Sequence, residues 1–206
     1  PQSPHDCPPV RYGVLSLYPG GTRGRWYVPC PDCGAMFEMT FARLVYPDSS
    51  DPVEAGEAAR MRCPHCGETF GHDLKRELNA AGCWYHESTP DEDGRIHLVR
   101  VDDTDLRRTD LLSYWLDGAS AAFATWAELV TAYRQAEDHF DATGDEEKLR
   151  ATVTTGQAQP YRPRTASSEM EITLQGLKDK AQGIDTPKGV APSWAKYLTI
   201  SVDVQG

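Results

Sequence analysis

The chain has 206 residues, 39% of them apolar and 25% charged, enough for a modest core in one medium domain or two small ones. A formal charge of -10 counts against a stand-alone nucleic-acid-binding module, so any DNA contact must be local or made by other parts of a larger protein. Nothing resembles a run of about 18 apolar residues that could span a membrane, and no charged stretch followed by an apolar one marks a secretory leader.

With 15 prolines and 17 glycines, much of the chain should be loop and tight turn. Residues 1–24 form an entering segment, with one short strand expected at Val14-Leu15-Ser16-Leu17-Tyr18. Arg25-Trp26-Tyr27-Val28 is aromatic and β-branched and predicts a strand running into Cys30; Met36 to Phe41 predicts its return. Residues 47–58 are acidic and turn-rich and read as an exposed loop. Arg60-Met61-Arg62 enters a second cysteine pair and Glu68-Thr69-Phe70 leaves it.

Asp73 to Ala81 predicts a short helix stopped by Gly82, and residues 84–118 an irregular or strand-like stretch turning at Asp91-Glu92-Asp93-Gly94. The clearest helix starts at Trp126 and runs to about His139. Thr125 and Glu128 make a capping box, and Trp126, Leu129, Val130, Tyr133, Ala136 and Phe140 fall on one face. A second helix is expected over Asp145 to Val153 and a third from Ser168 to about Gly183, followed by a linker at 184–195. Lys196 to Val204 alternates as a strand, with Leu198, Ile200, Val202 and Val204 on one face and Asp203 on the other. The fold class is therefore α+β: a small β unit around the two cysteine pairs, which the motifs below make zinc-ribbon-like, followed by a few helices.

Cys30-Pro31-Asp32-Cys33-Gly34 and Cys63-Pro64-His65-Cys66-Gly67 are two copies of C-P-x-C-G. Two intervening residues let both thiolates of a tight turn face one point about 2.3 Å away, and the glycine lets the backbone fold back. Two such knuckles make a tetrahedral four-thiolate site, expected to hold structural Zn2+ through Cys30, Cys33, Cys63 and Cys66. Disulfides would need an oxidising compartment, which nothing in the sequence signals; a redox pair uses one CxxC, and iron–sulfur sites space their cysteines differently. A full shell leaves no position for water, so the metal is structural.

The remaining candidates take plainer readings. Cys83 is expected to be a small buried residue and Cys7 an incidental thiol, while His65 sits at the solvent-facing x position of its knuckle. His5, His72, His86, His97 and His139 form no spaced ligand set. Arg23, Arg25, Arg43, Arg60 and Arg62 flank the knuckles and are open to either a surface or a phosphate-contact role.

Trp26-Tyr27-Val28-Pro29-Cys30-Pro31-x-Cys33-Gly34, then Arg62-Cys63-Pro64-His65-Cys66-Gly67, then Gly82-Cys83-Trp84, resembles the lambda-type (GpA) family of phage terminase large subunits. Trp126-Ala127-Glu128-Leu129 is similar to a helix start of that family, Val153-Thr154-Thr155 with Pro160-Tyr161 to a later turn, and Leu198 to Gln205 to its L-T-x-G-V-D-V-Q strand. Thr152, Thr154, Gln157 and Ala158 depart from the family pattern around that turn.

The resemblance implies a DNA-packaging motor that joins an ATPase to an RNase H-like nuclease, working on double-stranded DNA in the host cytoplasm with a small terminase subunit and the portal of a procapsid. It divides the chain into an entering segment at 1–24, a zinc-ribbon region at 25–84, a mixed or helical connector at 85–183, the linker at 184–195 and a first nuclease strand at 196–206. Both ends read as cut from a longer chain. Asp203 would be a nuclease carboxylate for Mg2+ or Mn2+. No G-x-x-x-x-G-K-[ST] phosphate loop is present, so ATP hydrolysis is expected to lie outside this segment, which should be inactive alone. The competing reading is a stand-alone zinc-ribbon module that binds nucleic acid or a protein partner.

Overall fold

The computed structural model describes Pro4, His5 and residues 13–164. The chain divides into two compact units, Pro1–Pro163 and Arg164–Gly206. The helix expected at 168–183, the linker at 184–195 and the strand carrying Asp203 lie outside the described residues.

The first unit is α+β, built on two small sheets. In one of them, β1 (Gly24–Pro29) is the hub. It pairs antiparallel with β6 (Cys83–Glu87), placing Trp26 opposite Trp84, and with β2 (Met36–Phe37), placing Val28 opposite Phe37. It pairs parallel with β8 (Tyr114–Trp115), while β7 (Leu98–Val99) lies outside β6. The second sheet is β3 (Leu44–Val45), β4 (Arg60–Arg62) and β5 (Thr69–Phe70), antiparallel throughout. Each cysteine pair sits in the turn of a hairpin, β1–β2 or β4–β5.

Among the described residues four α-helices accompany the sheets: α1 (Pro52–Glu57), α2 (Lys75–Ala80), α3 (Trp126–Thr143) and α4 (Glu147–Ala151). The capping box on α3 is formed, and Gly144 ends the helix at φ 74°, a conformation in which a side chain would be strained. Trp126, Leu129, Val130 and Ala136 on the expected face are buried. Trp126, Leu129 and Val130 join Val28, Phe37, Met39, Leu44, Met61 and Phe70 from around both sheets in one core cluster.

Several local expectations give way. Val14–Ser16 and Tyr18–Gly20 are 3₁₀ turns instead of a strand, because Ser16 Oγ donates back to the Gly13 carbonyl at 2.7 Å and Pro19 offers no amide to a ladder. The β2 ladder stops at Phe37; by Phe41 the backbone N–H donates to Asp117 Oδ1 at 3.1 Å, and Phe41–Arg43 becomes a 3₁₀ turn. The exposed loop expected over 47–58 contains α1. Asp51 caps it by accepting from the Val53 amide, and Ala55 and Gly56 are buried. Gly56 lies so close to α3 that an added Cβ would fall 2.6 Å from the Ala127 carbonyl oxygen, which is why so short a helix can pack there.

The helix expected over 73–81 is a 3₁₀ turn at His72–Leu74 followed by α2. That expected over 145–153 is α4, opening into a wide π-type turn at Thr152–Gly156. The strand-like stretch at 84–118 supplies β7, β8 and most of β6.

Candidate metal centre

Both knuckles fold by the same local rule. The Cys30 amide donates to the Ala35 carbonyl and the Gly34 amide to the Cys30 carbonyl, each at 2.9 Å. In the second knuckle the Cys63 amide donates to the Glu68 carbonyl at 2.9 Å and the Gly67 amide to that of Cys63 at 3.0 Å. Gly34 and Gly67 take φ +72° and +82°, the left-handed region that any Cβ would strain. The expected role for the glycines is thereby met.

The hairpins bring the two knuckles together tip to tip. Cys30 Sγ lies 3.8 Å from Cys66 Sγ and Cys33 Sγ 3.9 Å from Cys63 Sγ, and all four sulfurs fall within 4.8 Å of one another. Tetrahedral thiolates about 2.3 Å from a metal would stand about 3.8 Å apart, so the donor set fits one ion. These separations are nearly twice a disulfide bond, and all four cysteines are free. Cys30 and Cys63 are buried, whereas Cys33 and Cys66 face outward. Among the described residues this is the group of Cys, His, Asp or Glu side chains arranged to hold a metal.

The surroundings treat the sulfurs unequally. Burial raises the Cys63 thiol, but the amides of Cys66 and His65, together with hydrogen bonds from the Cys30 and Cys66 thiols, outweigh it and bring its pKa down to about 6. Those amides favour the thiolate that a metal requires. The Glu68 amide favours the Cys66 thiolate too, yet slight desolvation and hydrogen bonds with the Cys63, Cys33 and Cys30 sulfurs push the exposed Cys66 up to about 12. Removing three or four protons from so small a space needs a cation at its centre.

Behind the sulfurs the repeat continues into the core. Phe37 and Phe70 each follow the second cysteine of their knuckle by four positions, and their rings meet at 6.2 Å between centroids. Phe70 in turn stands 5.9 Å from the Trp126 indole. Sequence reasoning missed this pair, although the shared spacing C-x-x-C-G-x-x-F is enough to find it.

Of the flanking arginines, two are committed to buried pairs: Arg23 with Glu87 at 3.2 Å and Arg25 with Glu38 at 3.1 Å. Arg43 Nε is buried with no hydrogen-bond partner among the described residues, while Arg60 and Arg62 are exposed on β4. His65 is exposed, its Nε2 3.2 Å from the Met36 carbonyl oxygen instead of among the sulfurs. Cys83 is half-buried where a buried residue was expected. The five other histidines form no ligand set among the described residues.

Comparison with protein families gives two matches. Residues 9–84 match the model for the ATPase domain of the phage terminase large subunit gpA, and residues 111–206 match that for the gpA endonuclease domain. The second range contains Asp203. No curated protein and no solved structure matches the chain. Among the described residues, no helix is long and apolar enough to cross a membrane.

Proposed function

The chain belongs to the gpA family of phage terminase large subunits, and from that premise we propose that its four clustered cysteines hold one structural zinc ion that staples the region joining motor to nuclease. The observation that carries this reading is the convergence of four sulfurs, from two knuckles with the same hydrogen bonding, within 4.8 Å. Bound there, zinc supplies cohesion and charge neutralisation, its shell being full. Cys30 and Cys63 hold it from the buried side, with the amides of His65 and Cys66 sharing the thiolate charge of Cys63. The two hairpins then meet at their tips by coordination and behind them through Phe37 and Phe70.

In the whole protein we assign this segment to ATP-driven packaging of double-stranded DNA in the host cytoplasm, with a small terminase subunit and the procapsid portal as partners. Asp203 is proposed as a nuclease carboxylate for Mg2+ or Mn2+, supported by its place in the endonuclease-matched range. The acidic balance of -10 favours a connector over a self-sufficient DNA-binding module.

Metal content per chain, measured by mass spectrometry on wild type and on a Cys63→Ser/Cys66→Ser variant, tests the centre. One zinc per chain, lost in the variant together with cooperative unfolding, is expected. Zinc absent from wild type, or retained by the variant, overturns the assignment. DNA binding by the chain alone that is lost on charge reversal of the exposed Arg60 and Arg62 beside the second knuckle, with zinc retained, would instead support a nucleic-acid-binding ribbon.

A further inference from the structure

In a chain carrying a charge of -10, a concentration of positive charge stands out, and one lies outside the knuckles. Arg23, Arg107 and Arg108 line a pocket of about 330 Å³ with Ser88 and Thr89, and no carboxylate lines it. Two of the guanidiniums are held in place by one acid: Arg23 Nη1 and Arg107 Nη1 reach the same Oε2 of Glu87, at 3.2 and 3.3 Å. Glu87 is fully buried. One guanidinium neutralises one carboxylate, so a second beside it and a third on Arg108 leave the pocket wall positive.

The backbone adds an independent sign. Arg23 takes φ 55°, a left-handed conformation that costs a non-glycine residue about 1 kcal/mol or more. Gly20, Gly21 and Gly24 stand around it, so a strain-free residue type is used on both sides but not here. The Arg23 side chain is fixed further by Nε donating to the Pro19 carbonyl at 2.9 Å. Ser88 Oγ accepts from the His97 amide at 2.9 Å, which leaves its hydroxyl proton for a ligand. Pre-positioned guanidinium forks with a hydroxyl at their side suit a tetrahedral oxyanion.

We propose that this pocket binds a phosphate group, with Arg23 and Arg107 as its fixed wall and Arg108 as its rim. The phosphate chemistry rests on the pocket alone; a nucleic-acid backbone as its source rests on the packaging role proposed above.

The experiment has two arms on the full chain. In the first, inorganic phosphate is titrated while backbone amide resonances are followed by NMR. Saturable shifts at Ser88, Thr89 and Arg107 are expected, weakened about tenfold or more in Arg108→Glu by loss of a charge-assisted contact. Arg76→Glu, an exposed arginine outside the pocket, should leave them unchanged. Absence of shifts, or equal weakening by both variants, overturns the site. Circular dichroism of Arg108→Glu and Arg108→Gln confirms that the rim change does not act through unfolding.

The second arm measures affinity for a short DNA duplex against salt. Loss of about one unit of salt slope in Arg108→Gln identifies the backbone as the source. An unchanged slope alongside phosphate binding keeps the site and assigns it to free phosphate. Zinc content reads the cysteine centre separately, so the two assignments fail independently.

Discussion

Two ends of the described unit are held by opposite means. Where α3 meets the knuckle hairpins, most buried side chains are apolar, among them Trp126, Val130, Phe37, Met39, Met61 and Phe70, with Lys75, Asp117 and Ser120 tied to backbone groups at the edge. Around the N-terminal part of β1 and the end of β6, many buried side chains are polar: His5, Thr22, Arg25, His86, Glu87, Ser88 and Ser113. The apolar end draws on area removed from water, which is non-directional and tolerant of pH. The polar end depends on each group finding its partner, because an unmet buried charge is costly. Two-residue strands such as β2 and β5 have little ladder of their own, and their hairpins meet through the aromatic pair behind the sulfurs, in front of which the proposed zinc would add a cross-link.

The strongest way to break this comparison is at Trp126. Its indole is fully buried, touches Phe70 and His72 edge-on at 5.9 and 5.1 Å, and donates Nε1–H to the Ala119 carbonyl at 2.9 Å. Trp126→Ala should cost about 3–5 kcal/mol through cavity formation and lost packing. Urea unfolding should show that loss nearly constant between about pH 5 and 8. A loss below about 1 kcal/mol would mean that this end is not anchored by apolar packing.

The polar end should respond to acid instead. Burial, aided by the Arg25 charge, lowers the pKa of His5 from 6.5 to about 4, although the Arg23 carbonyl at Nδ1 and Glu87 pull the other way. Its Nε2 also lies 3.2 Å from the Tyr27 hydroxyl. The folded chain thus keeps His5 neutral while the unfolded chain takes up a proton, in the window between pH 6.5 and about 4. The unfolded state binds more protons in that window, so this contribution is complete above pH 6.5 and falls as pH drops towards 4. At about 1.4 kcal/mol per pKa unit, the swing is on the order of 3–4 kcal/mol. His5→Gln should flatten the slope of unfolding free energy over that window; an unchanged slope would place the acid sensitivity elsewhere.

What could be read from the sequence follows the same division. The four sulfurs were legible because each pair is local and its glycine declares the turn. So were β1 and α3, whose signals lie within one stretch: a β-branched aromatic run, and a capping box followed by helical spacing. Helix α1 was not, since its buried face is only Ala55 and Gly56, too small to register as an apolar stripe. The ion pairs of Glu87 join it to Arg23 and Arg107, 64 and 20 positions away, and no spacing rule connects such residues. Arg23 looked like one more basic residue beside the knuckles, while its left-handed backbone and its buried partner appear only in three dimensions.

The smallest expected effect tests how α3 is set in place rather than how it packs. Thr125 Oγ1 accepts from the Glu128 amide at 3.1 Å, and Glu128 Oε2 accepts from the Thr125 amide at 3.1 Å and its hydroxyl at 2.7 Å. These capping contacts lie at the surface, but the residue that directly follows the cap is the buried Trp126. Thr125→Ala should cost about 1 kcal/mol, and Thr125→Ser should recover most of it, because the hydroxyl is what the amide needs. If the cap merely satisfies orphan amides, its cost and that of Trp126→Ala should nearly add in the double variant. If the cap instead fixes the angle at which the indole enters the core, the double variant should cost less than the sum by about 1 kcal/mol, since the cap has nothing left to aim once the indole is gone. Urea midpoints at constant m for the four proteins of that cycle separate the two, and only the second outcome would make the apolar end depend on a polar contact as the other end does.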